Sequence, residues 1–468
     1  MSGLLAILVL ALGIGVAALV FRWKTKAPEV VAGPVQSCSN GQIARLLLKP
    51  PKTDHYPPPP RTMFLEVTSP QGGVTVTEFP TEINFGDALD LQWSGIPETL
   101  ILRSDSRLFR FMPESRTFTE LVMQIPNAKV GSWATAQDGA IVGVAAIEKP
   151  IYERFLFMGD FDSIKLFHWN LSSGSVDTSV TIPFANGVNF ANGGDMVSLF
   201  ARNSSSISPD ARHIVYQKRL PLEGKENSVA SLDLTSTQTI DDEFNPEEFV
   251  KFLNGGRVEI ADVLTGQPVY SKDTTGILVG AWWSPDGTRC LLKNQGEGTK
   301  IKDELLLIDL ANMNLESIAD RIEPELDGTE TAGRIEGADW VGGERFIVVT
   351  LYKFYSSRDG SAGEKRAERI SVVVDTETWN ITQLPIIGEY VDATPARSRP
   401  FVVLTTGKFY NDDPKMCIVR IGPDKNDSGS SVTQVPLKAG ENPSWLWGCG
   451  DTKLLLLEGG KVREVPVP

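Results

Sequence analysis

From Leu91 onward, short apolar runs rich in β-branched and aromatic residues alternate with clusters of Gly, Pro, Asp and Asn, and no long stretch holds the spacing of an amphipathic helix. One unit recurs. An apolar strand ends at an aromatic residue, a Gly/Asp/Pro turn follows, and further strands close on an Asp or Asn turn. Its seven starts lead into Trp93-Ser94-Gly95, Trp133 with Asp138-Gly139, Ser208-Pro209-Asp210-Ala211, Trp283-Ser284-Pro285-Asp286-Gly287, Trp340-Val341-Gly342-Gly343, Asp392 to Pro395, and Trp445 with Gly450-Asp451. Later strands of the same units are legible in Phe167 to Ser173, Glu259 to Gly266, Leu305 to Asn312, Val372 to Trp379 and Ile418 to Asp424. Starts spaced by roughly 40 to 75 residues match a four-stranded propeller blade with loop insertions.

The pattern therefore predicts an all-β, seven-bladed β-propeller; six or eight blades fit the same spacing. In Ser-Pro-Asp-Gly, Pro presets φ, Asp bonds the backbone ahead of it, and Gly accepts positive φ. The Trp before the turn reads as an apolar filler between blades rather than as a ligand platform. These units resemble the WD40-like repeats of the TolB and dipeptidyl-peptidase propeller families, through Trp283 to Gly287 and less completely Ser208 to Ala211. The resemblance implies a fold and transfers no function. Closing a ring without a free sheet edge calls for strands from both chain ends, so Met63 to Thr68 or Val74 to Phe79 is expected to complete the last blade, with the propeller spanning 63–468. The acidic stretch Asp241 to Lys251 interrupts the strand rhythm and reads as a loop or a short helix.

The N-terminus follows a different pattern. From Gly3 to Phe21 no charged side chain occurs, and at about 1.5 Å per residue this run spans the roughly 30 Å hydrocarbon layer of a bilayer. Arg22, Trp23, Lys24 and Lys26 follow it as an interfacial stop, and no basic residue precedes it, which favours an uncleaved, single-pass signal-anchor over a cleaved signal peptide. The expected plan is a transmembrane anchor at 3–21, a basic then proline-rich linker at 22–62, and the propeller. Pro50, Pro51 and Pro57 to Pro60 read as an extended spacer, with Tyr56 to Arg61 as a candidate ligand for a proline-binding domain. Flanking positive charge puts the body in the cytoplasm. The alternative is a periplasmic, lumenal or extracellular body, in which the sequons at Asn170, Asn203, Asn380 and Asn426 become glycan acceptors.

Net charge is −14, and no basic run lies outside the anchor flank, so nucleic acid is not an expected partner. Four cysteines, Cys38, Cys290, Cys417 and Cys449, lack CxxC spacing and read as free thiols, Cys290 and Cys417 within apolar runs. The chain has no G-x-S-x-G, P-loop, dinucleotide or HExxH motif. Its three histidines, His55, His168 and His213, are scattered; Asp160, Asp162, Asp412 and Asp413 read as solvated turn carboxylates rather than calcium ligands. Arg103, Arg107 and Arg110 read as guards of strand edges, with an acidic partner as the sharper alternative. No catalytic, cofactor-binding or metal residue is assigned. The expected function is a membrane-anchored, noncatalytic scaffold or binding module with a protein or glycan partner on a propeller face, or an accessory subunit of a membrane complex. The alternative is a hydrolase or lyase using the central channel, with carboxylates converging on His168 or His213.

Overall fold

The computed structural model describes residues 29–468 apart from 50–59, 84–88, 105–106, 123–127, 149–160, 184–187, 191–204, 219–255, 275, 296–302, 323–332, 355–366, 388–390, 407–414, 423–431, 438–443 and 459–460. The strands form eight antiparallel sheets, an all-β propeller of eight blades. In chain order the blades span 29–83, 89–120, 128–183, 188–274, 277–317, 333–383, 391–434 and 444–466. Blades 1 to 7 have four strands each, and blade 8 has three among the described residues.

Position within a blade sets the residue pattern. Middle strands are covered on both faces by neighbouring blades and are continuously apolar: Phe401–Thr406 and Met416–Arg420 are buried almost throughout. Outer strands have a solvated face and alternate, as in Val74–Ile83 and Pro268–Thr274. Between each pair of neighbouring blades sits one apolar core, eight in all. Fully burying one Leu, Ile or Phe side chain in such a core contributes about 1.5–3 kcal/mol.

The tryptophans fill these cores as their pattern predicts, and several also tie blades together. Trp93 Nε1 donates to the Val35 carbonyl (3.3 Å), Trp283 to Ser205 (3.1 Å) and Trp340 to Trp282 (3.1 Å), in each case from one blade back to the one before it. A large buried ring thus keeps its N–H satisfied.

Three expectations are corrected. The seven starts are blades 2 to 8; the eighth unit is blade 1, whose first strands, Glu29–Gln36 and Ile43–Leu48, fall in the segment read as linker. Its first turn, Ser37 to Gln42, lacks the Trp and Ser-Pro-Asp signals that mark the others. Secondly, Arg61–Thr68 and Val74–Ile83 pair within blade 1 instead of completing the last blade. Thirdly, Cys38 and Cys449 are joined in a disulfide, Cα–Cα 5.6 Å, across a sequence separation of 411. Ring closure brings the ends of the chain together, which local sequence does not reveal. Cys290 and Cys417 are free and buried, as expected.

The expected anchor at 3–21, most of the proline spacer, His55 and the acidic stretch 241–251 lie outside the described residues. Among the described residues no helix is long and apolar enough to cross a membrane.

Candidate functional site

Antiparallel pairing sorts every connection to one of two faces. Turns joining first to second and third to fourth strands share one face; connections from second to third strands and between blades share the other. The first face carries the Ser-Pro-Asp turns. Its polar groups are largely engaged in holding turns and neighbouring blades together. Glu98 of blade 2 accepts from Ser37 Oγ (2.7 Å) and from the Ser39 amide (3.0 Å) of blade 1. Burial raises the Glu98 pKa, but these hydrogen bonds outweigh it and hold the carboxyl below its usual range. Asp451 of blade 8 accepts from the Ser398 amide (2.6 Å) and hydroxyl (2.7 Å) of blade 7. Arg289 of blade 5 reaches Glu344 of blade 6 at 3.1 Å, and Asp210 of blade 4 lies against the Gly287 backbone of blade 5.

The two described histidines, His168 and His213, are also on this face. His168 Nε2 lies 3.1 Å from Asp138 Oδ2, with both groups solvent-exposed, while His213 stacks on Trp283 at 6.0 Å between ring centroids. Among the described residues no carboxylate set converges on either. Among the described residues no group of three or more His, Cys, Asp or Glu is placed to hold a metal ion. Asn170 is exposed in a third-to-fourth turn, its Oδ1 accepting from the Ser172 and Ser173 amides at 2.9 Å. Asn380 is half-buried beside the corresponding turn of blade 6.

The arginines singled out from sequence are not edge guards. Arg103 lies on the second strand of blade 2, and Arg107 and Arg110 on its third, both flanked by other strands. Arg107 pairs with Glu120 of the adjacent strand (Nε–Oε1 2.6 Å), and Arg110 donates to the Leu171 carbonyl of blade 3. Asp162 lies on the third strand of blade 3; Asp160, Asp412, Asp413, Asn203 and Asn426 are outside the described residues.

The second face differs in chemistry. Near it ionisable groups are buried inside or between blades 4 to 7. Tyr216 donates to Glu259 (2.8 Å), which also pairs with Lys218 (2.8 Å). Burial first, then that carboxylate, pushes the Tyr216 phenol far above its ordinary range. Gln217 donates to the Gly276 carbonyl (2.7 Å) and accepts from the Leu278 amide (3.0 Å), joining blades 4 and 5. Lys293 and Asp303 of blade 5, 3.7 Å apart and 4% and 1% exposed, grip the backbone of Ile335 in blade 6: Lys293 donates to its carbonyl, and Asp303 accepts from its amide at 3.0 Å.

The next junction, between blades 6 and 7, opens into a cleft. Arg369, on the third strand of blade 6 and 8% exposed, pairs with Glu336 (2.5 Å) and with Asp392 of blade 7. Glu336 sits where the pairing of the two inner strands of blade 6 shifts register, between Ile335 and Gly337. The cleft has a volume of about 60 Å³, and Asp339, Thr350 and Thr394 line it beside this triad. Glu336 and Asp392 flank the Arg369 guanidinium, and Asp339 lines the same space, which holds a few waters or one small polar group.

No family model matches the chain, and no curated protein matches it. Among solved structures it is similar to the acylaminoacyl peptidase of Pyrococcus horikoshii, at 11% identity over 92% of this chain and 57% of that one, with a TM-score of 0.47. It is also similar to oligogalacturonate lyase from Vibrio parahaemolyticus, at 11% identity over 89% and 94% of the two chains and a TM-score of 0.45. A third likeness is to TolB from Acinetobacter baumannii, at 11% identity over 86% and 81%, with a TM-score of 0.29. The chain spans little more than half of the peptidase. The TolB-like resemblance is one of fold, and the fold rests on the eight sheets themselves.

Proposed function

We propose that the chain is a noncatalytic binding module that presents its second face, with the cleft between blades 6 and 7, to a protein partner. The observation that carries this reading is the division of labour between the faces. First-face carboxylates are spent on neighbouring turns and blades, and the histidines there meet an exposed Asp138 and a Trp283 ring. The second face combines buried ion pairs with a charged cleft between two rigid blades, the usual arrangement of a rigid scaffold carrying a recognition surface.

The N-terminal apolar run supports a membrane-anchored body, as the sequence suggests. The Cys38–Cys449 disulfide supports a body on the oxidising side of that membrane, against the flanking-charge expectation of a cytoplasmic one.

Photo-crosslinking residues placed in the full chain at the exposed Ile386, in the second-face connection between blades 6 and 7, and at Thr288 on the first face test the binding surface in native membranes. Adducts from Ile386 and none from Thr288, lost with Arg369→Ala, are expected. Adducts from Thr288 alone overturn the assignment of the face. Turnover of an ester or polysaccharide by the purified chain, abolished by Asp392→Asn, establishes the enzyme alternative instead. Protease digestion of sealed vesicles of known sidedness tests the compartment: protection from protease on the cytosolic side is expected, and digestion there overturns the oxidising-side reading.

A further inference from the structure

Propellers commonly close by sharing a blade between the two chain ends, but every described strand of this chain pairs with strands of its own blade. Among the described residues the junction between blades 1 and 8 is therefore held by side chains and by two local links. Its core is the smallest of the eight: Ile43 from blade 1 with Leu446, Leu455 and Leu457 from blade 8. The other junctions each bury at least nine residues in their clusters, as between blades 7 and 8. One polar link, from the Cys449 amide to Gln36 Oε1, is 3.1 Å long. The other is the disulfide.

We infer that Cys38–Cys449 is a redox-modifiable clasp whose reduction opens the ring at this one seam. The surrounding hydrogen bonds localise the effect. The Cys38 turn is held on its other side by Glu98 of blade 2, and the Cys449 turn by the bond from Ser398 of blade 7 to Asp451. Each half of the severed link stays with its other neighbour, so the break falls between blades 1 and 8. Cys38 is exposed and Cys449 half-exposed, which gives a dithiol reductant access. A reductant thiolate attacks one sulfur, the S–S bond breaks, and the departing cysteine thiolate takes up a proton. The reductant's second thiol then resolves the mixed disulfide, leaving two protein thiols and one oxidised reductant. Cys290 and Cys417 cannot take over the pairing, because both are buried and burial pushes their thiols above the ordinary range.

The test is hydrogen–deuterium exchange by mass spectrometry on the full chain in detergent, before and after dithiothreitol, with reoxidation by oxidised glutathione. Exchange in Ile43–Leu48 and Ser444–Glu458 is expected to rise at least about tenfold on reduction and to return on reoxidation, while Ile277–Trp283 stays protected. The Cys38→Ser/Cys449→Ser variant is expected to show the opened pattern and to ignore the reductant. Unchanged exchange at the seam overturns the inference, and so does an equal rise in all blades. Should the double variant fail to fold, the reduced wild-type chain decides alone.

Discussion

Replacing Lys293 with Met removes one half of an ion pair in which both partners are at most 4% exposed. Asp303 is then a carboxylate in the junction between blades 5 and 6 without the charge opposite it, and such a break costs about 3–5 kcal/mol. The lower end of that range applies, because Asp303 still accepts from the Ile335 amide at 3.0 Å. Adding Asp303→Asn neutralises the stranded charge and keeps an acceptor for that amide, so the double variant should regain about 2 kcal/mol over Lys293→Met. With an unfolding entropy near 2.1 cal/mol/K per residue over roughly 440 residues, 3 kcal/mol is a fall of about 3 °C in Tm. Differential scanning fluorimetry and urea denaturation of the two single variants and the double variant complete a mutant cycle. A coupling energy near zero, with Lys293→Met no less stable than the double variant, would refute this account of the pair.

Other outcomes follow from the same geometry. Trp340→Phe should cost about 1–2 kcal/mol, from loss of the bond to the Trp282 carbonyl and some volume, and Trp340→Ala about 3–5 kcal/mol; urea midpoints that do not separate the two contradict the clamp. Gly287→Ala should destabilise by more than about 1 kcal/mol, since φ is +75° and a Cβ there would sit 2.7 Å from an Asp210 oxygen, whereas Gly174→Ala, with φ +73° but open space, should cost less. Burial raises the Asp286 pKa, but bonds from Ser284, Thr288 and Glu344 outweigh it and hold the carboxyl at about 2, so its contribution is present above pH 4 and lost as pH falls towards 2; Asp286→Asn should flatten that part of the acid-denaturation curve. Maleimide should label neither Cys290 nor Cys417 in the folded chain, with or without reductant, as intact-mass measurement would show.

The blade rhythm was legible because each turn needs residues that advertise it. Ser284-Pro285-Asp286-Gly287 closes a turn in which the Ser284 hydroxyl meets Asp286 at 2.5 Å, and residue types that can do this are few. Blade 1 was hidden because Ser37 to Gln42 makes its turn with different residues, holding it with Glu98 from the next blade, a partner 61 positions away. Blade 4 was only half legible, since its inner strand is split: Val188–Phe190 and Ile207 both pair with His213–Lys218, on either side of 191–204. The buried charges near the second face gave a fainter signal. Lys293 follows Leu291 and Leu292 in a strand buried on both sides, where a solvated lysine has no place, and Asp303 waits across the connection at 296–302. The cleft triad could not be read at all, because Glu336, Arg369 and Asp392 come from three separate strands and meet only through register.

The disulfide also dates the completion of the ring. Cys38 leaves the ribosome 411 residues before its partner, and at about 5–20 residues per second that interval is roughly 20–80 s. Throughout it the nascent protein carries an open arc of stacked blades and an unpaired Cys38 thiol in its first blade. Cys290 and Cys417 appear during this wait but are withdrawn into the interior as blades 5 and 7 form. Blade order along the chain therefore shields Cys38 from wrong partners until blade 8 is made, and oxidation of this pair marks a molecule whose eighth blade has been synthesised.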